Sequence, residues 1–424
     1  MRVLMLSDFY PPYIGGMERH VQTLSRELVR RGHHVAVATL RSKGLPDFEE
    51  DEGVQVHRLG GWNQMLAAFY ENQEQQFHPP LPDPGVMAGL RRVVEQERPE
   101  IVHARRWMLY SFVGLKAWSG AKLVVTLHDY SLLCPTMTYF NDGQTCTGPG
   151  YMKCIRCASS QYGRGKAALL TSGLKLSGYL HRYVDKYIAI SSVVRDASIM
   201  ATGRPPRPIE VVPTFIPDTA LEEASHVERP AFLPSTDNYI LFVGRQGRNK
   251  GLDVLLEAYA DLSDLAPLVA IISDYGDTSI HVPAGVTVVR NIPHAQVMAG
   301  WMHCAVGVVP SIWSEPFGQV AVEAMACGKP IVASAIGGLL DVVADGESGL
   351  LVEPGDVRAL REALRSLLLD PARRTQMGMI GRQRARLFRV SAVADRIEKI
   401  YVELLEDSAK SGLKPPLVGA GGIW

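Results

Sequence analysis

Residues 2–32 read RVLMLSDFYPPYIGGMERHVQTLSRELVRRG. The apolar run at 3–6 predicts a short strand, and Val21, Leu24, Leu28 and Val29 then recur at helical spacing. Arg30, Arg31 and Gly32 close that helix with cations and a capping glycine, as its negative end favours. Between strand and helix stand Pro11, Pro12, Gly15 and Gly16. Prolines stiffen a turn, and glycines let another group come close to the backbone. From these residues alone, a tight turn without a ligand and a site of close approach both remain open.

The same unit of strand, loop and helix recurs along the chain. Strand candidates fall at 2–8, 34–40, 54–59, 101–105, 122–129 and 186–191, then at 239–244, 268–273, 286–292, 305–311, 330–335 and 349–354. Continuous apolar strands separated by helices predict parallel sheets covered on both faces. The pattern runs twice around a Pro-rich break at 203–238. It predicts an α/β protein of two Rossmann-like domains facing across a cleft, 1–205 and 206–390. Further helices are expected near 372–387 and 391–406, and the Gly/Pro-rich residues 407–424 read as a disordered tail.

A length of 424 residues agrees with two domains. Lys plus Arg and Asp plus Glu are both 44, so no basic excess points to nucleic acid. No apolar run is long enough to span a membrane, and the N-terminal apolar run is too short for a signal peptide. A soluble cytoplasmic protein is expected.

Open α/β sheets bind ligands in the loops at the carboxyl ends of their strands. One such loop is VGRQGRNKG at 243–251, with Arg245, Arg248 and Lys250. Cations among glycines suit phosphate oxygens. Asn249-Lys250-Gly251 lacks the ending of a Walker loop, so a P-loop is rejected. A solvated surface loop accounts for the same residues. A second loop opens PSIWSEPFGQVAVEAMACGKPIVAS at 310–334. Pro316 keeps Glu315 out of helical geometry, and the helix is expected from near Gly318. The N–H groups of Phe317, Gly318 and Gln319 would then face an anion. Glu323 suits ribose hydroxyls and Glu315 those of a sugar. Two surface glutamates, or a glycosidase carboxylate pair, are the alternatives. The latter leaves the cation loop without a role.

Taken in order, these motifs resemble the retaining glycosyltransferases of family 4, which have the GT-B fold. The resemblance rests on Pro11-Pro12 with Gly15-Gly16, on Arg245 followed by Lys250-Gly251, and on Glu315 and Glu323 with seven residues between them. It extends to 337–356, with Asp341 where Glu is commoner, and covers roughly 1–405. It implies that the C-terminal half binds a nucleotide sugar and the N-terminal half an acceptor: a glycan, a lipid-linked molecule or a small molecule. Arg245 and Lys250 would stabilise the departing diphosphate without a metal cofactor. Glu323 would hold the ribose, Glu315 the sugar, and Gly15 and Gly16 would lie against the diphosphate. The helix at 391–406 would cross back onto the N-terminal domain. His128, which ends KLVVTLHD, would face the reaction centre, with Asp129 orienting its ring or capping the next turn. A buried, satisfied histidine is the other reading of His128. The resemblance names no nucleophile and gives the acceptor proton to the leaving phosphate oxygen. Two departures stand out. Ser273-Asp274-Tyr275-Gly276 replaces a Gly-Asp-Gly run near the base, and HARRW at 103–107 replaces His-Ala-His. A nucleotide-sugar epimerase of the same fold and a non-catalytic nucleotide-sugar binder are the alternative functions. A dehydrogenase is disfavoured because no GxGxxG follows a strand.

Cys134, Cys146, Cys154 and Cys157 fall in one insert after His128. The CxxC pair suits one edge of a zinc tetrahedron, and four reduced thiols are the other reading. Disulfides are not expected in the cytoplasm. The insert would overhang the acceptor side. Residues 163–185 form a basic amphipathic helix candidate with Leu169, Leu170, Leu174, Leu176 and Leu180. Such a helix packs a domain or touches the inner membrane face peripherally.

Overall fold

The computed structural model describes residues 1–12, 16–62, 78–141, 143–202, 208–245, 247–273, 283 and 285–410. In the N-terminal unit the strands are β1 (Arg2–Leu6), β2 (His34–Leu40), β3 (Phe48–Asp51), β4 (Val54–Leu59), β5 (Ile101–Arg105) and β6 (Lys122–Leu127), followed by a small hairpin, β7 (Phe140–Asn141) with β8 (Gln144–Thr145), and then by β9 (Lys186–Ala189) and β10 (Ile209–Val211). Its helices are α1 (Gly16–Arg30), α2 (Pro84–Glu97), α3 (Leu109–Ser119), α4 (Tyr151–Tyr162), α5 (Arg164–Ser177) and α6 (Ser192–Thr202). The sheet runs β10-β9-β6-β5-β1-β2-β4-β3, parallel except for β3. Val3 to Leu6 of β1 are buried on both faces, which is why this strand reads as an unbroken apolar run.

After α7 (Ala220–Ser225) the pattern restarts with β11 (Ile240–Arg245), α8 (Leu252–Tyr259), β12 (Leu268–Ser273), β13 (Val286–Arg290), α9 (His294–His303) and β14 (Val306–Val309). It continues through α10 (Gln319–Ala326), β15 (Ile331–Ser334), α11 (Leu339–Val342), β16 (Gly349–Val352), α12 (Val357–Leu369) and α13 (Pro371–Ala385). This all-parallel sheet runs β13-β12-β11-β14-β15-β16. Growth therefore reverses direction between β11 and β14, as it does between β1 and β5 in the first sheet. Such switch points open a crevice at the strands' carboxyl ends.

The long helix α14 (Val390–Lys410) returns to the first unit. Its Val393, Ala394, Ile397 and Tyr401 share an apolar cluster with Val21, Leu24 and Leu28 of α1. Arg31 adds bonds to Asp395 at 2.6 Å and Glu398 at 3.0 Å. The two segments that pass between the units are tied together, with Ile216 N donating to Phe388 O and Val390 N to Ile216 O.

Several expectations need correction. β10 belongs to the first sheet, so that unit extends past the boundary expected at 205/206, and the supposed linker holds β10 and α7. β3 was invisible because its sequence, FEED, is acidic and lies at an edge. The helix expected over 163–185 ends at Ser177 and tightens into a 3-10 helix over Gly178–Tyr183. α14 runs on to Lys410, into the expected tail, and the tail from 411 lies outside the described residues. No described helix is long and apolar enough to cross a membrane.

Candidate active site

At the switch point of the second sheet, β11 delivers Arg245 to its exposed carboxyl end. The chain then tightens into a 3-10 turn, Arg248–Lys250, and enters α8 through Gly251. Gly251 has φ +68°, and a Cβ there would lie 1.9 Å from the carbonyl oxygen of Pro310. Only glycine lets the cation loop close onto the end of β14. Lys250 is thereby set beside the loop that follows β14. Its Nζ donates to both oxygens of Glu315, at 2.9 and 2.7 Å. Ser311 Oγ and Trp313 Nε1 also donate to Glu315 Oε2, at 3.1 and 2.9 Å, and the Trp313 ring lies 5.1 Å beneath the ammonium. Lys250 and Glu315, expected to serve different parts of one ligand, form a single ion pair.

Helix α10 begins behind Gly318, and no side chain caps it. Its first N–H groups are therefore left without a side-chain partner. The Phe317 ring is buried edge-on against Phe388, so its side chain is turned into the core. Glu323 sits inside α10, nearly buried, and its carboxylate is held by His294 Nε2 at 2.9 Å. No sequence signal marks His294, since the contact depends on α9 packing beside α10. Gly16, at the start of α1, faces α10 from the other unit. A Cβ on it would stand 3.8 Å from Gln319 Oε1. Gly15 lies outside the described residues.

The first sheet presents its own switch point across the crevice. Arg105 ends β5, fully buried, and donates through Nε to His128 Nε2 at 3.0 Å. Burial lowers the Arg105 guanidinium to about 10, so it stays charged at neutral pH. Burial, Arg105 and Arg106 together push His128 well below the ordinary imidazole range. The ring is neutral, and because Nε2 accepts from Arg105 its proton resides on Nδ1. Arg105 thus fills the place of the second histidine in the commoner His-Ala-His. Asp129 does not orient the ring. It accepts from Arg106 Nε and from Ser131 N, both at 2.9 Å, and so caps the turn. His20 of α1 stands edge-on to His128 at 4.4 Å and is stacked on Phe215. Asp8, just after β1, is fully buried with neither carboxylate oxygen hydrogen-bonded. Burial raises it to about 7, Arg106 opposing and Asp129 and Glu18 reinforcing.

The two switch points meet directly. Tyr130, two residues after His128, bonds through its hydroxyl to Ser314 Oγ at 2.8 Å, next to Glu315. Ser191 Oγ donates to Pro316 O at 2.5 Å. Asp341 accepts from Ser192 N at 2.6 Å and Ser192 Oγ at 2.8 Å. The residue at which the motif departs from Glu thus caps α6 of the opposite unit.

Residues 14–219 match the family profile described as Glycosyltransferase Family 4, and residues 226–384 that described as Glycosyl transferases group 1. D-inositol 3-phosphate glycosyltransferase 1 of Catenulispora acidiphila is 30% identical over 72% of this chain and 73% of its own. The chain belongs to glycosyltransferase family 4. Glycogen synthase of Mycobacterium tuberculosis is 28% identical over 98% of this chain and 97% of its own. Among solved structures, sucrose-phosphate synthase from Thermosynechococcus elongatus superimposes with a TM-score of 0.68 at 22% identity, covering 96% of this chain and 99% of its own. Anabaena HepE in complex with UDP-glucose gives 0.65 at 19% identity, covering 95% and 99%. This glycosyltransferase has the GT-B fold.

The insert of this family 4 enzyme brings all four expected cysteines to one place. Cys134, Cys146, Cys154 and Cys157 line a cavity of about 20 Å³ beside the β7–β8 hairpin, and none of the four is in a disulfide. Cys154 and Cys157 are carried on α4, three residues apart. Among the described residues no three His, Cys, Asp or Glu side chains form a group that could hold a metal ion. The four thiols converge on one small cavity.

Proposed function

We propose that this glycosyltransferase moves a sugar, with retention of configuration, from a nucleoside-diphosphate sugar on the second unit to an acceptor on the first. The observation that carries this reading is the facing of the two switch points through Tyr130 and Ser314. One side offers Lys250, Arg245 and the uncapped N-terminus of α10; the other offers the neutral His128. Cations and N–H groups aimed at a departing diphosphate stabilise the charge that grows on it, so no metal is required for the step. The bond from the anomeric carbon to the phosphate oxygen breaks. The acceptor hydroxyl attacks from the same face and passes its proton to the departing oxygen. His128 donates from Nδ1 to a sugar hydroxyl and does not act as an acid or base at neutral pH. Glu323, fixed by His294, receives the ribose hydroxyls. Glu315 shares Lys250 with the phosphate and turns its carboxylate to the sugar.

The UDP-glucose held by the Anabaena neighbour makes UDP the first nucleotide to try. Melting curves with UDP, GDP, ADP and dTDP, with and without chelator, test the reading. One nucleotide at 100 times its Kd adds about 2.7 kcal/mol, whether or not chelator is present. Lys250→Ala and Glu323→Ala each weaken that binding about ten- to hundredfold, as loss of a charge-assisted bond predicts. Full affinity in both variants removes the site assignment. A melting point that falls with chelator in the absence of nucleotide would instead place a structural metal on the four thiols. The anomeric configuration of the product, read by NMR, decides retention.

A further inference from the structure

A second, larger cavity lies in the first unit, on the far side of the loop that carries His128. Its volume is about 680 Å³, within the range of small-molecule sites. Leu127 and Leu132, flanking His128 in the chain, line one wall of it. The opposite wall is one face of α5 and the 3-10 turn that follows. Thr171, Leu174, Lys175, Gly178 and Arg182 line the cavity from that face, spaced as one helical stripe should be. Thr171 is 6% exposed, and its hydroxyl has no hydrogen-bond partner. An unpaired buried hydroxyl is costly and points to a polar atom that arrives with a ligand. One helical turn further on, Lys175 stands over the Tyr151 ring at 5.4 Å. Arg182 lies over Tyr183 at 4.9 Å. The mouth of the cavity therefore carries two cations held by aromatic rings. Apolar walls, one deep hydroxyl and a cationic mouth describe an amphiphile with an anionic head.

We propose that this cavity is an acceptor subsite for a single-chain acyl amphiphile carrying an anionic head. The hydrocarbon lies against Leu127, Leu132 and Leu174. The ester oxygen accepts from the Thr171 hydroxyl. The anion sits at Lys175, about one helical turn from Thr171, which matches the reach from a glycerol ester to its phosphate; Arg182 stands about two turns further along the same stripe and closes the cationic mouth. The subsite rests on the proposed placing of the acceptor on the first unit.

Binding of lauroyl lysophosphatidate, dodecyl phosphate and inorganic phosphate to the full chain, by calorimetry below micelle concentrations, tests it. UDP binding is measured in parallel. Both amphiphiles should bind at least ten times more tightly than inorganic phosphate. Gly178→Trp should weaken both amphiphiles tenfold or more. The backbone tolerates a side chain at this position, because a Cβ at Gly178 meets nothing within 4 Å and its backbone is right-handed helical, and an unchanged melting point checks that the fold is kept. Thr171→Val should weaken lauroyl lysophosphatidate three- to tenfold, leave dodecyl phosphate unchanged and not lower the melting point. Amphiphile binding that is absent, or equal in wild type and Gly178→Trp, overturns the subsite while UDP binding stands. Loss of UDP binding from the wild type would overturn the donor reading alone.

Discussion

Asp8 gives the sharpest test of how the first unit is assembled. It follows β1, fully buried, with both carboxylate oxygens unbonded, facing Arg106, Asp129 and Glu18. Its folded value is raised from 3.8 to about 7. A raised carboxyl value means that the folded protein keeps a proton that the unfolded chain has released. Stability is therefore whole below pH 4, declines as pH rises from about 4 to 7, and is level above. A rise from 3.8 to about 7 corresponds to roughly 4 kcal/mol at pH 8, of which between about 1 and 2 kcal/mol is already lost at pH 5. Asp8→Asn removes the titration and keeps the shape. The stability difference between variant and wild type should then shift by roughly 2–3 kcal/mol in favour of the variant between pH 5 and pH 8. For a unit of this size that is on the order of 5–10 °C of melting temperature. Other groups titrate in both proteins and cancel in the difference. Thermal melts of both at pH 5, 6, 7 and 8 give the answer. A difference that does not change with pH would show that Asp8 is ionised at no cost, and that the buried acid–arginine cluster has been misread.

Two further changes probe how the loops are held. Gly251→Ala places a Cβ 1.9 Å from Pro310 O at a left-handed φ, so the cation loop must shift. Beyond about 1–2 kcal/mol of backbone strain, the displaced Lys250 should reduce the melting shift given by UDP, and an undiminished shift would show that Gly251 does not set the loop. Asp341→Ala removes the cap of α6 supplied from the other unit. It should cost about 1 kcal/mol and speed hydrogen exchange in the first turn of α6; unchanged protection there would mean that another group caps the helix.

The apolar strands, their alternation with helices and the two-fold recurrence were all legible along the chain, because a strand buried on both faces must be apolar throughout. All twelve expected strands lie within a residue or two of those observed. The acidic edge strand Phe48–Asp51 carried no such pattern, since one side of an edge needs no apolar partner. Local chemistry also marked the phosphate side. Lys250 with Gly251, and Glu315 before Pro316, are short-range signatures whose residue types follow from the turns they must make. The same local logic could not show that Lys250 and Glu315 bond to one another, for they are 65 residues apart and meet only when β11 lies beside β14.

The tertiary structure alone decided the rest. His128 was found at a strand end, but its tautomer is fixed by Arg105 from the neighbouring strand, and its neutrality by burial. Asp341 read as a departure from a motif until folding set it at the N-terminus of α6 in the opposite unit. Thr171 gave no signal at all, and its unpaired hydroxyl matters only because α5 closes a cavity against the sheet. Sequence fixes what depends on neighbours along the chain: strand period, turn glycines, helix starts. Protonation states, ion pairs and cavities depend on residues brought together from distant segments, and the folded packing determines those.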